Sequence, residues 1–478
     1  MKEMVNKKKP SLNSQAILSL ISIIVLDAIT YLTNPIFVNL LSQSAFGTIS
    51  LYTSYREILM VVFGLQTLGS ISYAVVHLKK CEFNKFCSTA LLLSTISFVI
   101  CSTITIVLGA QIANLIDIPK VLIPFLVIHG FGSYIISFNS YRLIYEKKAG
   151  YAMLISGIVS FLSTGLSILL VLILKTHNGY NGYFGRVIGV FVPNIIIGLV
   201  FLVLQFKKAK PSLDKTLIKT CLLISIPLIF HRLGQIVLSR TDIVMINFLT
   251  SGSAEERKNQ VAVYSYAVSM ASIVSAIFNA LNNSWVAFLF DDFKSESFSR
   301  IRKRSKNYIY LFTALTAGFL MIGPEIILWF APENYSFGVN IIPLLTISLY
   351  LVFLSSFFVN IEIYHGKTIY TMIGTIFAAI LNIALNYLLI KSVGILGAAI
   401  ATVISYFLLA AIHFFVSRFK YKKYFVYSMK PFITSCLIVT VMAVLTFVYK
   451  DSIRARWTVG FLTLFFIIFN IWKRKSIF

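Results

Sequence analysis

Apolar residues run through this chain in long unbroken blocks, without the strict alternation of a half-buried strand or the one-sided spacing of a surface helix. The blocks lie near 16–41, 46–77, 88–113, 121–145, 151–174, 186–206, 217–249, 261–290, 307–330, 339–363, 367–390, 396–417, 428–449 and 456–472. About 20 apolar residues in a helix cross the hydrocarbon core of a bilayer, and a helix satisfies its backbone polar groups within itself. The pattern predicts about fourteen transmembrane helices, the longer ones tilted or kinked, as Pro227 allows. A membrane barrel would need alternating segments of about 10 residues, and the chain has none.

Composition agrees: 58% of the 478 residues are hydrophobic, 12% are charged and the mean hydropathy is +0.85. No set of water-soluble domains carries that balance, so the expected class is an all-α polytopic membrane protein. A net charge of +25 raises nucleic acid as a partner, but the placement of the 42 Lys and Arg argues otherwise. Thirty fall at the N-terminus and in the even-numbered connections through to Lys475, nine in the odd-numbered ones and three inside blocks. That asymmetry places both termini in the cytoplasm and favours an even number of spans. The basicity is topological, with attraction to anionic membrane lipids as a second use, and no nucleic-acid partner is expected. The first block has a basic start but is too long for a signal peptide, and it reads as a retained start-transfer helix. Five scattered cysteines give neither a disulfide nor a zinc framework.

The connections are too short for a catalytic domain. The longest, 291–306, has about 16 residues, and the longest odd-numbered ones, 175–185 and 250–260, about 11. No phosphate-binding glycine loop, zinc-protease helix or nucleophile elbow appears, so neither an enzyme nor a cofactor is expected. The halves do resemble each other. Phe37-Val38-Asn39-Leu40-Leu41-Ser42 reads like Met245-Ile246-Asn247-Phe248-Leu249-Thr250, and Lys175 with Gly179 and Gly182 reads like Lys391 with Gly394 and Gly397. Two six-helix lobes, 1–210 and 211–420, follow, related by an axis along the membrane normal, with two more helices in 421–478. The glycine pairs fit tight loops or close helix contacts.

Polar groups inside the blocks are the candidate chemistry, because charges there are costly and either pair or mark a pathway. At the start of the stretch Ser239–Phe290, Arg240 and Asp242 interrupt an apolar helix. With Arg56 and Arg232 they stand against Asp27 and Glu57, three cations and three anions. Asp27 and Arg56 fall at similar depth, as a pair locking the first two helices or as cavity residues. Arg56 and Glu57 are adjacent and do not share a helix face. Arg232 and Arg240 lie two turns apart, and a guanidinium suits a diphosphate. Counted from the end of its block, Asp242 sits near the outer interface, as a cap, an ion-pair partner or a cavity residue. Asn382 and Asn386, at i and i+4, share one face and suit an interhelical hydrogen bond or a sugar contact. His129, His231 and His413 are scattered, with no relay partner identifiable in the sequence.

Several blocks together resemble the Wzx-like polysaccharide flippases, relatives of the multidrug extruders of the MATE type and of lipid II flippases. They are the helix Pro227 to Asp242 running into Tyr264-Ser265 and Ala280-Leu281-Asn282-Asn283-Ser284-Trp285; the turn Pro332-Glu333-Asn334-Tyr335; Leu381-Asn382-Ile383-Ala384-Leu385-Asn386-Tyr387; and Gly394-Ile395-Leu396-Gly397-Ala398-Ala399-Ile400-Ala401-Thr402. Val286-Ala287-Phe288 stands where the family often has a proline after the tryptophan. The resemblance implies a V-shaped two-lobed bundle in a bacterial inner membrane. It would export an undecaprenyl-diphosphate-linked oligosaccharide by alternating access for O-antigen or capsule, beside a polymerase and chain-length machinery. Physical chemistry makes the same demand: an unpaired hydroxyl costs about 2–7 kcal/mol in an apolar phase, so such a headgroup needs a polar-lined path. A MATE-type cation-coupled antiporter is the nearer rival and a membrane polymerase the more distant one.

Overall fold

A computed structural model describes residues 33–175 and 182–474. Among them there is no strand, and eleven helices are long and apolar enough to cross a membrane, twelve if the bent pair Gln43–Gly64 and Thr67–His77 is one span. The fold is that of an all-α polytopic membrane protein. Of the fourteen predicted spans, 16–41 falls mostly outside the described residues, and 456–472 lies in the last helix, Ile453–Arg474.

Backbone contacts divide the chain into two compact units. The first comprises Leu59–Ile168 and Ile188–Leu228 among its described residues; the second comprises 33–58, described parts of Leu169–Val187, and Ile229 to 474. In the first, the break after helix α1 (Gln43–Gly64) is the structural event. Leu65 and Gln66 both take left-handed backbone (φ 47° and 51°), which costs a side-chain-bearing residue about 1–2 kcal/mol each. The carbonyls freed there are capped from α3 (Lys80–Ile116; α2 is Ile71–His77): the Ser97 hydroxyl donates to Val62 O at 3.0 Å, and that of Ser94 lies 3.1 Å from Gly64 O. Thr67 and Ser94 in turn meet the buried Tyr134 hydroxyl at 2.5 and 2.9 Å, on α4 (Leu122–Tyr145). A Cβ on Gly64 would stand 2.3 Å from the Tyr134 ring. Gly64→Ala is therefore expected to cost about 1–3 kcal/mol by overpacking, read as a lower unfolding temperature of the purified protein.

In the second unit, the site is built on α7 (Lys215–Leu249) from Ile229 onward, α8 (Ala254–Lys294), α10 (Ile342–Tyr364), α11 (Thr368–Val393) and α12 (Ile395–Lys420), with α9 (Phe298–Phe330) packed against α8 and α10; the intervening α5 and α6 are Ala149–Lys175 and Tyr183–Lys208. The start of α8 is written in Ser253-Ala254-Glu255-Glu256. Ser253 Oγ accepts the Glu256 N–H at 3.2 Å, while the Glu256 carboxylate accepts the Ser253 N–H at 2.6 Å, a reciprocal cap. Helices α11 and α12 join through one residue, Gly394, at φ 65°. Gly397 brings the backbones together, because a Cβ there would lie 2.2 Å from Leu389 O. These two members of the sequence-level glycine pairs thus make a corner and a close helix contact. Buried aromatics, among them Trp285, Tyr308, Phe353 and Phe357, fill the core between α8, α9 and α10. The final helices, α13 (Met429–Val448) and α14 (Ile453–Arg474), pack on α9.

Candidate functional site

Helix α7 is apolar on average, yet His231, Gln235, Leu238, Ser239 and Asp242 recur at helical spacing and line one cavity of about 560 Å³ inside the second unit. Opposite stripes on α8 (Tyr264, Ser272, Ser275 and Asn282) and α10 (Ser348, Ser355 and Asn360) give it small hydroxyl and amide walls. Thr371, Thr375, Thr402, Tyr406 and His413 extend the lining on α11 and α12. A wall of this kind can exchange hydrogen bonds with a hydroxylated guest at many points while committing to none.

Two charge groups stand on that wall. Arg240 makes a forked pair with Glu57 of α1, Nε to Oε2 at 3.2 Å and Nη2 to Oε1 at 2.7 Å. Both side chains keep some exposure, 32% and 21%, so the guanidinium is held in place without being sealed away. Asp242 is the second. Its carboxylate accepts the Tyr264 hydroxyl at 2.7 Å, the Thr402 hydroxyl at 2.5 Å and the Asn386 amide at 2.6 Å, and Asn386 also donates to Asn382 Oδ1 at 3.1 Å. Four helices are tied at one carboxylate, which has the donors a buried charge requires.

The structure thus brings Asp242, Asn382 and Asn386 into one cluster and Arg240 onto the cavity wall. Asp242 itself is buried among these partners, 4% exposed. Helix α7 has 35 residues, about 52 Å, against a hydrocarbon core of about 30 Å, so counting from its end gives no depth. Arg232 is not among the lining residues. It sits one residue, about 100°, around the helix from His231, and its Nη1 donates to Gln235 Oε1 at 3.1 Å. Arg56, half-buried on α1, is also not among them, and Asp27 lies outside the described residues.

Sequence reasoning passed over several groups. Glu57 was counted as a charge but not matched to Arg240, 183 positions away. Glu325 and Glu362 lie within the predicted spans without a partner legible in the sequence, and so does Arg186 at the head of α6, whose guanidinium sits 3.8 Å over the Phe37 ring. The available signal was the same for all: an ionisable residue inside an apolar run.

The described helices thus form a polytopic bundle with a polar cavity inside the second unit. The family model described as polysaccharide biosynthesis protein matches residues 13–287, more than half of the chain, and the chain belongs to that family. No curated protein sequence matches it. Among solved structures, a lipid II flippase MurJ in an inward closed conformation is similar at 14% identity and TM-score 0.72, over 97% of this chain and 98% of that one. An inward-facing multidrug resistance MATE transporter of the MOP superfamily is similar at 17% identity and TM-score 0.65, over 86% and 98%. A MOP superfamily transporter from Pyrococcus furiosus follows at 18% identity and TM-score 0.58, over 86% and 96%. These likenesses establish a shared fold.

Proposed function

We propose that the protein is a flippase that moves undecaprenyl-diphosphate-linked oligosaccharide repeat units from the cytoplasmic to the outer leaflet by alternating access, for O-antigen or capsule assembly. The observation that carries this reading is the hydroxyl- and amide-lined cavity with Arg240 on its wall, in a chain of the polysaccharide biosynthesis protein family. Its lobes are 1–210 and 211–420, with 421–478 appended, in a bacterial inner membrane with both termini cytoplasmic. Arg240 of α7 meets the diphosphate from the cavity wall, with Arg232 of α7 and Arg56 of α1 adding positive charge from outside the lining; the asparagines and serines meet the sugars, while the lipid tail stays in the bilayer. Polymerase and chain-length machinery act on the product, and the chain itself catalyses no covalent step.

Deleting the protein is expected to leave lipid-linked units on the inner leaflet, whereas loss of a polymerase would leave them on the outer leaflet. Arg232→Glu is expected to give the deletion phenotype at unchanged protein level. Normal surface polysaccharide in that variant would sink the role given to Arg232, and outer-leaflet accumulation in the deletion would sink the flippase reading.

A further inference from the structure

Beside the cavity lies a second ionisable group that the cargo reading does not use. Glu362, near the end of α10, and His413, on α12, are both sealed from solvent, with side-chain exposures of 0% and 1%. The His413 Nδ1 is 2.9 Å from Glu362 Oε1, and Thr371 of α11 donates its hydroxyl to Glu362 Oε2 at 2.9 Å. Two partners therefore hold the carboxylate in place, and it holds the ring in turn. His413 and Thr371 nevertheless belong to the cavity lining, as does His231 on α7. Gly374 clears the space beside the ring, since a Cβ there would lie 3.1 Å from His413 Nε2.

We propose that Glu362, His413 and Thr371 form a proton-binding site loaded from the cavity. A carboxylate at Nδ1 fixes the tautomer that donates there, which leaves Nε2 as the atom that accepts a proton. The proton comes from cavity water and forms an N–H bond at Nε2; the pair goes from a net charge of −1 to 0, and no other bond changes. The surrounding titratable or charged groups are His231 with Arg232 on α7, His365 at the end of α10, Tyr370 on α11, and Lys420 with Tyr421 at the end of α12. Lys420 is engaged by the Tyr370 hydroxyl, and His365 Nδ1 meets the Ile361 carbonyl at 2.8 Å, so Glu362 is the carboxylate bonded to the His413 ring. Resting on the anionic-cargo reading, the inference goes one step further: a protonated site makes the cavity wall less negative and favours a diphosphate, and by linkage a bound diphosphate favours the proton.

The test uses the full chain in lipid nanodiscs, labelled with ¹⁵N-histidine and titrated without cargo. Of the six histidines, the His413 signal is the one lost in His413→Gln. The expected result is uptake of one proton at His413 Nε2, with Glu362→Gln lowering its proton affinity at least tenfold and Thr371→Val lowering it less. A His413 ring whose signals do not move with pH, or one indifferent to Glu362→Gln, overturns the proposal. Binding of farnesyl diphosphate, measured at each pH, then reads the coupling. Affinity is expected to rise severalfold as the site fills in the parent and to stay flat in His413→Gln; a flat parent overturns the coupling. Absence of farnesyl diphosphate binding at every pH counts against the cargo reading instead, and the nuclear magnetic resonance titration still decides the proton site.

Discussion

Arg240→Glu is expected to abolish surface polysaccharide while leaving the protein in the membrane at its normal level. Arg240 is the arginine among the cavity-lining residues, and Glu57 holds it in a two-point fork rather than as a freely moving charge. A glutamate there puts two carboxylates together and presents a negative wall to the proposed diphosphate-bearing cargo. Partial exposure of the pair means that its contribution to folding is small, so the loss falls on transport rather than on stability. Two further variants separate a cargo role from a purely structural one. Arg240→Lys keeps the charge but loses the planar fork, and output should fall about tenfold, the equivalent of one good charge-assisted contact. The swap Glu57→Arg with Arg240→Glu restores a pair with reversed sense. If the pair only joins α1 to α7, the swap restores polysaccharide; if Arg240 meets the cargo, output stays low although the protein is stable. Polysaccharide per unit of protein, from gel staining and immunoblot of the same cells, reads all three.

The apolar blocks revealed the membrane class and nearly every helix, because a chain in lipid must satisfy its backbone inside helices whatever its side chains do. The site was legible only in part. Asn382 and Asn386 read as one face of a helix because spacing alone decides that, but the partner of that face, Asp242, lies 144 positions from Asn386 and on another helix. His413 appeared as one of three unrelated histidines, since Glu362 is 51 positions away. Arg240 found its partner in Glu57, across 183 positions. Local sequence records which residues are costly to bury; the compensating group is fixed by tertiary packing, which no local pattern contains. The broken helix at Leu65 and Gln66 was missed for a related reason: apolar residues there look like an uninterrupted span, and the hydroxyls of Ser94 and Ser97 that cap the break come from α3.

The same logic gives the largest expected effect on stability. Glu325 of α9 and Arg456 of α14 are 1% and 0% exposed. Arg456 Nη1 donates to Glu325 Oε2 at 3.1 Å, Nη2 donates to Oε1, and Nε donates to Tyr449 O at 3.0 Å. Most donors of the guanidinium are therefore used on one carboxylate and one carbonyl, and α14 is fixed to α9 at that point. Arg456→Leu leaves the Glu325 carboxylate buried without its cation and is expected to cost about 3–5 kcal/mol. The unfolding temperature of the purified protein and the yield of folded chain should fall together. Replacing both partners, Glu325→Leu with Arg456→Leu, removes the unpaired charge along with the attraction, and such a swap is often neutral to stability. The double variant should therefore recover most of the loss. If it is as unstable as Arg456→Leu alone, the cost lies in lost packing around the arginine stem, not in an orphaned charge. Residues 421–478 lie beyond the matched family segment 13–287, so a stable double variant that still supports surface polysaccharide would show that the pair serves attachment of these helices rather than the proposed transport.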